Sequence, residues 1–246
     1  MMETAIEQTL VLIKPDALKN SLTGYVLSLL AEFHTGLCFA GAKIVQVSRL
    51  LAEAHYAEHV GKPFYLPLLD YITGLSHYPD EPEKRRVIAL VYQGPNAVLK
   101  IREISGPTNP LDAREKKPGS IRALGSLVPV KDAAGNVISH RMDNLIHASA
   151  NAADAEREIK LWFRPGDIPP CMHAYPTEVC DTYYYYSDGK LYTHHEPGSI
   201  CLLAPADEAW SSDLQALRMI DAGAPTACTL ETVAAKYLIN TRCDKK

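Results

Sequence analysis

The sequence contains no apolar run near the roughly 18 residues needed to cross a bilayer, so no membrane-spanning segment is expected. It has no Cys-x-x-Cys pair. Its six cysteines are split one (Cys38) against five (Cys171, Cys180, Cys201, Cys228 and Cys243), which argues against a disulfide framework. Cys171, His173 and Cys180 could in principle ligate zinc, but their spacing is irregular, and small buried hydrophobes are the plainer reading of these cysteines. Neither G-x-x-x-x-G-K-[ST] nor G-x-G-x-x-G occurs, which removes the commonest nucleotide signatures. A basic excess is lacking too. The net charge is -4, with 19 Lys+Arg against 18 Asp+Glu over residues 1–165 and 6 against 11 over residues 166–246. A specific nucleic-acid binder is therefore not expected, and any anionic ligand must be held by a few placed cations. The opening Met-Met-Glu-Thr-Ala-Ile-Glu-Gln is acidic, unlike a secretory leader, so the expectation is a soluble cytoplasmic protein.

What is present is ordinary for a globular chain. Hydrophobic residues are 47% and charged residues 22%, which argues against long disorder, and 246 residues allow one domain with a large appendage or two small ones. Thr9–Ile13 reads as a buried strand stopped by Pro15, which leaves Lys14 at a strand end. Leu22, Val26, Leu29, Leu30 and Phe33 recur at helical spacing before Gly36. A second strand is expected around Ala40–Leu50, and short helices over Leu51–Val60 and Phe64–Thr73. Arg86–Tyr92 is apolar on both faces, as a central strand would be. A helix over Asn96–Ile104 follows.

Residues 105–143 lose periodicity, apart from a small hairpin formed by Val128–Val130 and Val137–Ile138. Ala152, Ala155, Ile159, Trp162 and Phe163 then form the apolar stripe of a helix capped by Asn151 and Asp154. After Pro165 the texture changes. Asp188-Gly189 predicts a hairpin between the Tyr183–Tyr186 run and Leu191–Thr193, followed by helices over Ser212–Ala222 and Leu230–Asn240. Seven of the thirteen tyrosines lie in this part, enough aromatic surface to pack onto something.

Several polar residues interrupt the apolar elements. They are Lys14, Arg102, Thr108, Arg122, Asn144 and His147. Three cations, a hydroxyl, an amide and an imidazole would suit a polyphosphate, with the imidazole as nucleophile. Taken singly, each cation reads equally well as a solvated surface charge, and His147 as a structural histidine.

Five ordered stretches carry a resemblance. They are Gln8–Leu18 (QTLVLIKPDAL), Gly61–Pro67 (GKPFYLP), Arg102–Pro110 (REISGPTNP), Lys117–Arg122 (KPGSIR) and Asn144–Pro165 (NLIHASANAADAEREIKLWFRP). Together they resemble the nucleoside diphosphate kinase family over about residues 8–165. The resemblance implies a ferredoxin-like α/β sandwich with a four-stranded antiparallel sheet, a catalytic domain over 1–165 and a C-terminal extension over 166–246. It implies reversible γ-phosphoryl transfer from a nucleoside triphosphate to a nucleoside diphosphate, by a ping-pong route through phosphohistidine. In that pattern His147 is the nucleophile, Glu158 orients it, and Ser149 supports the carboxylate. Lys14, Tyr56, Arg102, Thr108, Arg122 and Asn144 hold phosphates and ribose, and Phe64 stacks on the base. Magnesium arrives on the nucleotide without a protein cage, and the enzymes are homo-oligomers.

The sequence also departs from the family pattern. Ala17 stands where glycine is usual, Ala123-Leu124 replaces Gly-Asp, and Ala148 and Ala150 replace a glycine and an aspartate around Ser149. About three extra residues follow Thr108, and about a dozen lie between Arg122 and Asn144. These insertions, with the extension, bear on quaternary structure more than on chemistry, and the extension is expected to pack on the core or on a neighbouring subunit. The competing reading is a catalytically weak, nucleotide-binding scaffold. A scaffold needs no nucleophile, so the joint presence of His147, Glu158, Lys14, Arg102, Arg122 and Asn144 disfavours it.

Overall fold

A computed structural model describes residues 6–132, 134–226 and 228–240. The opening Met1–Ala5 and Cys243 lie outside them. Strand β1 (Ile6–Ile13) pairs antiparallel with β3 (Val87–Pro95) on one side and with β6 (Ile146–Ala148) on the other, and β2 (Cys38–Val45) closes the sheet beyond β3. The order β2-β3-β1-β6 makes β1 and β3 the two inner strands, which is why both read as near-continuous apolar runs. Side chains alternate between faces along a strand. Leu10 and Leu12 of β1 accordingly enter one core with Ile159, Trp162 and Phe163, while Val11 and Ile13 enter another with Val26, Leu30 and Ile101.

Helices cover both faces. They are α1 (Pro15–Lys19), α2 (Thr23–Leu29), α3 (Glu32–Thr35), α4 (Arg49–His55), α5 (Tyr65–Ile72), α6 (Ala97–Ser105), α7 (Pro110–Lys116) and α8 (Ala152–Trp162). A two-stranded hairpin, β4 (Ser126–Lys131) with β5 (Val137–Asp143), stands before β6 and is longer than the sequence suggests.

Three local expectations are corrected. The stripe from Leu22 to Phe33 is two helices, because Ala31 is extended (ψ 145°) and resets the helical phase. Val26 and Leu30 stay buried, but Phe33 is rotated out and is 93% exposed. The second strand stops at Val45, because Ser48 caps a helix by accepting from the Leu51 amide at 3.1 Å. The charged stretch after Asn109 is helix α7. Its Asn109 side chain accepts from the Leu111 amide at 2.9 Å, and Pro110 occupies the first turn.

The extension adds β7 (Thr177–Val179), β8 (Tyr184–Ser187), β9 (Lys190–Tyr192), β10 (Ile200–Leu203), β11 (Glu208–Trp210), α9 (Ser211–Asp221) and α10 (Leu230–Tyr237). The β8–β9 turn uses positive φ at Asp188 (47°) and Gly189 (78°), as a two-residue hairpin requires. Cys180, Tyr184, Leu203, Leu214 and Val233 share a core of their own. Trp210 and Ala235 instead join Leu10, Trp162 and Phe163, and the Trp210 indole donates to the Phe163 carbonyl at 2.8 Å. Arg164 donates to the Tyr237 carbonyl at 2.7 Å. Among the described cysteines, the reading as buried hydrophobes holds for Cys180 alone, since Cys38, Cys171 and Cys201 are exposed and Cys228 is half-buried.

Candidate active site

The site forms where the end of β1 meets the turn into β6. The Lys14 amide donates to the Leu145 carbonyl at 2.9 Å, and the Leu145 amide donates to Asp16 Oδ2 at 2.9 Å. These bonds hold Leu145 at φ 68°, a conformation that costs a non-glycine residue on the order of 1–3 kcal/mol. The outcome is that Lys14 Nζ meets Asn144 Oδ1 at 2.7 Å, both residues being buried. Asn144 Nδ2 donates to the backbone carbonyl of Thr108 at 2.9 Å, while Thr108 itself is exposed.

Beyond that turn, β6 carries His147 opposite Leu12. His147 Nε2 lies 2.9 Å from Glu158 Oε2, and the Ser149 hydroxyl donates to the same oxygen at 2.7 Å. Ser149 in turn accepts from the Leu10 amide at 3.2 Å, so the central strand itself fixes this pair. The α8 cap sets Glu158 in place, with Asn151 Oδ1 accepting from the Asp154 amide at 2.9 Å. Burial alone would raise the Glu158 carboxyl. The His147 charge and hydrogen bond, with His55 and Ser149, outweigh it and hold the group down at about 2. An ionised carboxylate only accepts hydrogen bonds, so Nε2 is the proton-bearing nitrogen of His147, and whenever the ring is neutral Nδ1 holds the lone pair.

Arg122, in a short 3-10 turn over Ile121–Leu124, is buried and donates to the carbonyls of Gly106 (3.0 Å) and Ile146 (3.3 Å), while its Nε has no partner. Burial pushes this guanidinium down to about 10, and the neighbouring Arg102 charge pushes the same way. An anion between the two would relieve both. Gly106 has φ 78°, and a Cβ there would collide with the Ser120 side chain, so only glycine allows this approach. Tyr56 is buried at the end of α4 and stacks on His59 with centroids 6.0 Å apart. His59 meets Phe64 at 5.4 Å, and Phe64 is 50% exposed, so a line of rings leads from the site to the surface.

Two residues escape the sequence reading. His55 packs its ring 4.6 Å from that of His147, and its Nδ1 accepts from Trp162 Nε1 at 3.1 Å. Asp16 holds the Leu145 amide. The available signal was a histidine on the same α4 face as the buried Leu51 and Ala52. The zinc set is not assembled. His173 Nε2 lies against the carbonyls of Pro165 (3.0 Å) and Ile168 (2.9 Å), and the Cys180 thiol donates to the Thr182 carbonyl. Among the described residues, the one cluster of metal-ligating side chains is His55, His147 and Glu158.

A Glu158→Gln substitution removes the charge behind the imidazole and leaves Lys14, Arg122 and Asn144 untouched. Steady-state kinetics should show kcat lowered about a hundredfold, the scale of a small misplacement of a reacting group, with KM within a few-fold. An unchanged kcat would mean that the carboxylate does not act on His147.

A nitrogen lone pair presented beside converging cations is what phosphoryl transfer requires, and the class that this fold and site define is the phosphotransferases. The chain belongs to the nucleoside diphosphate kinase family, whose family model, "Nucleoside diphosphate kinase", matches residues 7–168. It is 40% identical over 168 residues to the nucleoside diphosphate kinase of Thermococcus kodakarensis, covering 68% of this chain and 83% of that one. Among solved structures it resembles the halophilic nucleoside diphosphate kinase of Halobacterium salinarum in complex with CDP (32% identity, TM-score 0.51, 67% of this chain and 92% of that chain). It also resembles the transition state mimic of the Borrelia burgdorferi enzyme with bound vanadate and ADP (28% identity, TM-score 0.52, 68% and 92%). The family's activity is phosphoryl transfer between nucleotides, and this chain is an enzyme of that kind.

Proposed function

We propose that His147 Nδ1 attacks the γ-phosphorus of a nucleoside triphosphate. The bond to the β,γ-bridging oxygen breaks, and its electron pair leaves with the nucleoside diphosphate. A second diphosphate then takes the phosphoryl group from the histidine by the reverse of the same step. The observation that carries this reading is the Glu158–His147 bond at 2.9 Å, which leaves Nδ1 as the free nitrogen. Lys14, Arg102 and Arg122 meet the charge on the phosphates, with Tyr56, Thr108 and Asn144 on the phosphates and ribose. Such positioned charge supplies most of the acceleration in phosphoryl transfer.

Magnesium would enter on the nucleotide. The His55–His147–Glu158 donors are mainly nitrogen and do not suit a hard cation, Asp143 is held by Arg141 and His77, and Asp16 offers a single unpartnered buried oxygen, Oδ1, which alone makes no cage. Incubation with γ-labelled ATP and magnesium should yield an acid-labile, alkali-stable phosphoprotein. A protein that binds nucleotide yet never becomes labelled would favour the scaffold reading.

The base meets the face of Phe64, and stacking reads little of its identity. Relatives of this fold have been solved with CDP and with ADP, a pyrimidine and a purine. ATP and GTP should therefore serve as donors with kcat/KM values within about two powers of ten, since strong discrimination needs buried polar partners for the base. A preference above about ten-thousandfold would overturn this account of the base contact.

The protein is also expected to be a homo-oligomer. Edge strand β2 and its surroundings expose Phe33, Phe39 and Ile44, an apolar edge that a second copy would cover, and light scattering would detect it.

A further inference from the structure

Behind Lys14 and Asn144 lies a second polar layer, drawn from two segments outside the five motif stretches. Residues 74–86, between α5 and β3, carry His77 inward. The β4–β5 hairpin brings Arg141 and Asp143 to its base. His77 Nε2 lies 3.0 Å from Asp143 Oδ2. Arg141 grips the same carboxylate twice, Nε to Oδ1 at 2.7 Å and Nη2 to Oδ2 at 3.0 Å, and it also donates to the Ser76 carbonyl at 3.4 Å. His77 and Asp143 are both buried.

This layer touches the site on two sides. Asp143 is the residue bonded to Asn144 in the chain. The His77 ring packs 5.1 Å from the Tyr71 ring, whose hydroxyl accepts from the Asn144 amide at 3.3 Å and whose face carries Lys14 Nζ at 4.9 Å. A buried ion pair is a poor staple, because desolvation of its charges offsets their attraction. Burial alone would raise the Asp143 carboxyl, yet His77 and Arg141 outweigh it and hold the group below its usual range, so its charge persists. That charge lies where it favours the Lys14 ammonium.

We infer that Asp143, locked by His77 and Arg141, is a positioning residue that fixes the Asn144–Lys14 pair and keeps Lys14 charged before the nucleotide arrives. The inference rests on the reading of Lys14 and Asn144 as phosphate- and ribose-binding groups.

The test is the pH profile of the full-length enzyme. Burial pushes Lys14 down to about 8; Asp16 and Asp143 oppose this shift, and Arg122 adds to it. Burial keeps Tyr71 protonated by raising it and keeps His55 neutral by lowering it, and Arg122 stays charged. The wild-type kcat/KM should fall as pH rises through about 8, because the neutral amine no longer attracts phosphate. In Asp143→Asn one supporting charge is gone. The alkaline limb should move to lower pH, and KM at pH 8 should rise about tenfold while kcat changes less than threefold.

His77→Gln keeps the carboxylate but unfastens it, and should raise KM without moving the limb. If Asp143→Asn lowers only the melting temperature and leaves both limb and KM in place, the carboxylate is a structural staple and the inference is wrong. Should that variant fail to fold, an unchanged KM in His77→Gln overturns it. Lys14→Met and Asn144→Ala serve as references. If neither raises KM, the reading of the phosphate site fails; if both do and the Asp143 and His77 variants do not, only this inference fails.

Discussion

Replacing His147 by alanine should abolish phosphoenzyme formation and lower turnover by several powers of ten, each worth about 1.4 kcal/mol of barrier, while nucleotide binding survives. The expectation follows from the division of labour in the site. Lys14, Arg122 and Asn144, the groups proposed to meet phosphate, are held by bonds that do not pass through the imidazole: Lys14 to Asn144, Arg122 to the Gly106 and Ile146 carbonyls, and Asn144 to the Thr108 carbonyl. Alanine at position 147 therefore removes the proposed nucleophile and leaves those bonds in place. His55, though adjacent, is no substitute, because its Nδ1 is occupied by Trp162 and the ring is buried. Labelling with γ-labelled ATP and titration with a nucleoside diphosphate give the two readouts. More than a few per cent of wild-type turnover would overturn the assignment of His147.

Truncation after Pro165 should lower the melting temperature by 10 °C or more in round terms, while leaving every proposed site residue in the chain. Trp210 is fully buried in the same core cluster as Trp162 and Phe163, and α10 packs on α4 and α8. Emptying a buried tryptophan site alone costs about 3–5 kcal/mol. For a chain of this size, each kcal/mol shifts the midpoint by roughly 2–4 °C. The Asn240 side-chain amide, which bonds the Ile44 carbonyl (2.9 Å) and the Gln46 amide (2.8 Å), leaves with the extension. Trp210→Ala in the full chain should reproduce much of the loss. Calorimetry with light scattering decides the matter: an unchanged midpoint and an unchanged oligomer mass would make residues 166–246 an independent module.

The same cores show which parts of the fold are legible in sequence. β1 and β3 announce themselves because inner strands bury both faces, so Leu10–Ile13 and Val87–Val91 are unbroken apolar runs. α8 does so through its stripe and its Asn151 cap. The α2–α3 break does not, because Leu30 and Ala31 carry no helix-breaking residue; the turn arises where the chain bends onto the sheet. Helix α7 escapes the sequence reading because its short charged body shows no stripe, although Asn109-Pro110 supplies a cap and a first-turn proline.

For the site, the sequence by itself named the candidate residues. Lys14 at the end of β1, Asn144 and His147 in one short segment, and Glu158 on the capped helix are all marked by motif and element boundary. Only the tertiary structure decided which atoms meet. That the carboxylate takes His147 Nε2 and leaves Nδ1 free, that His55 lies against that ring, and that His77 and Arg141 lock Asp143 behind Lys14 are contacts between residues up to 92 positions apart. Periodicity reports the face on which a residue lies, and that is a local property. Partners across a core are set by how the sheet and its helices pack, and no local pattern encodes them.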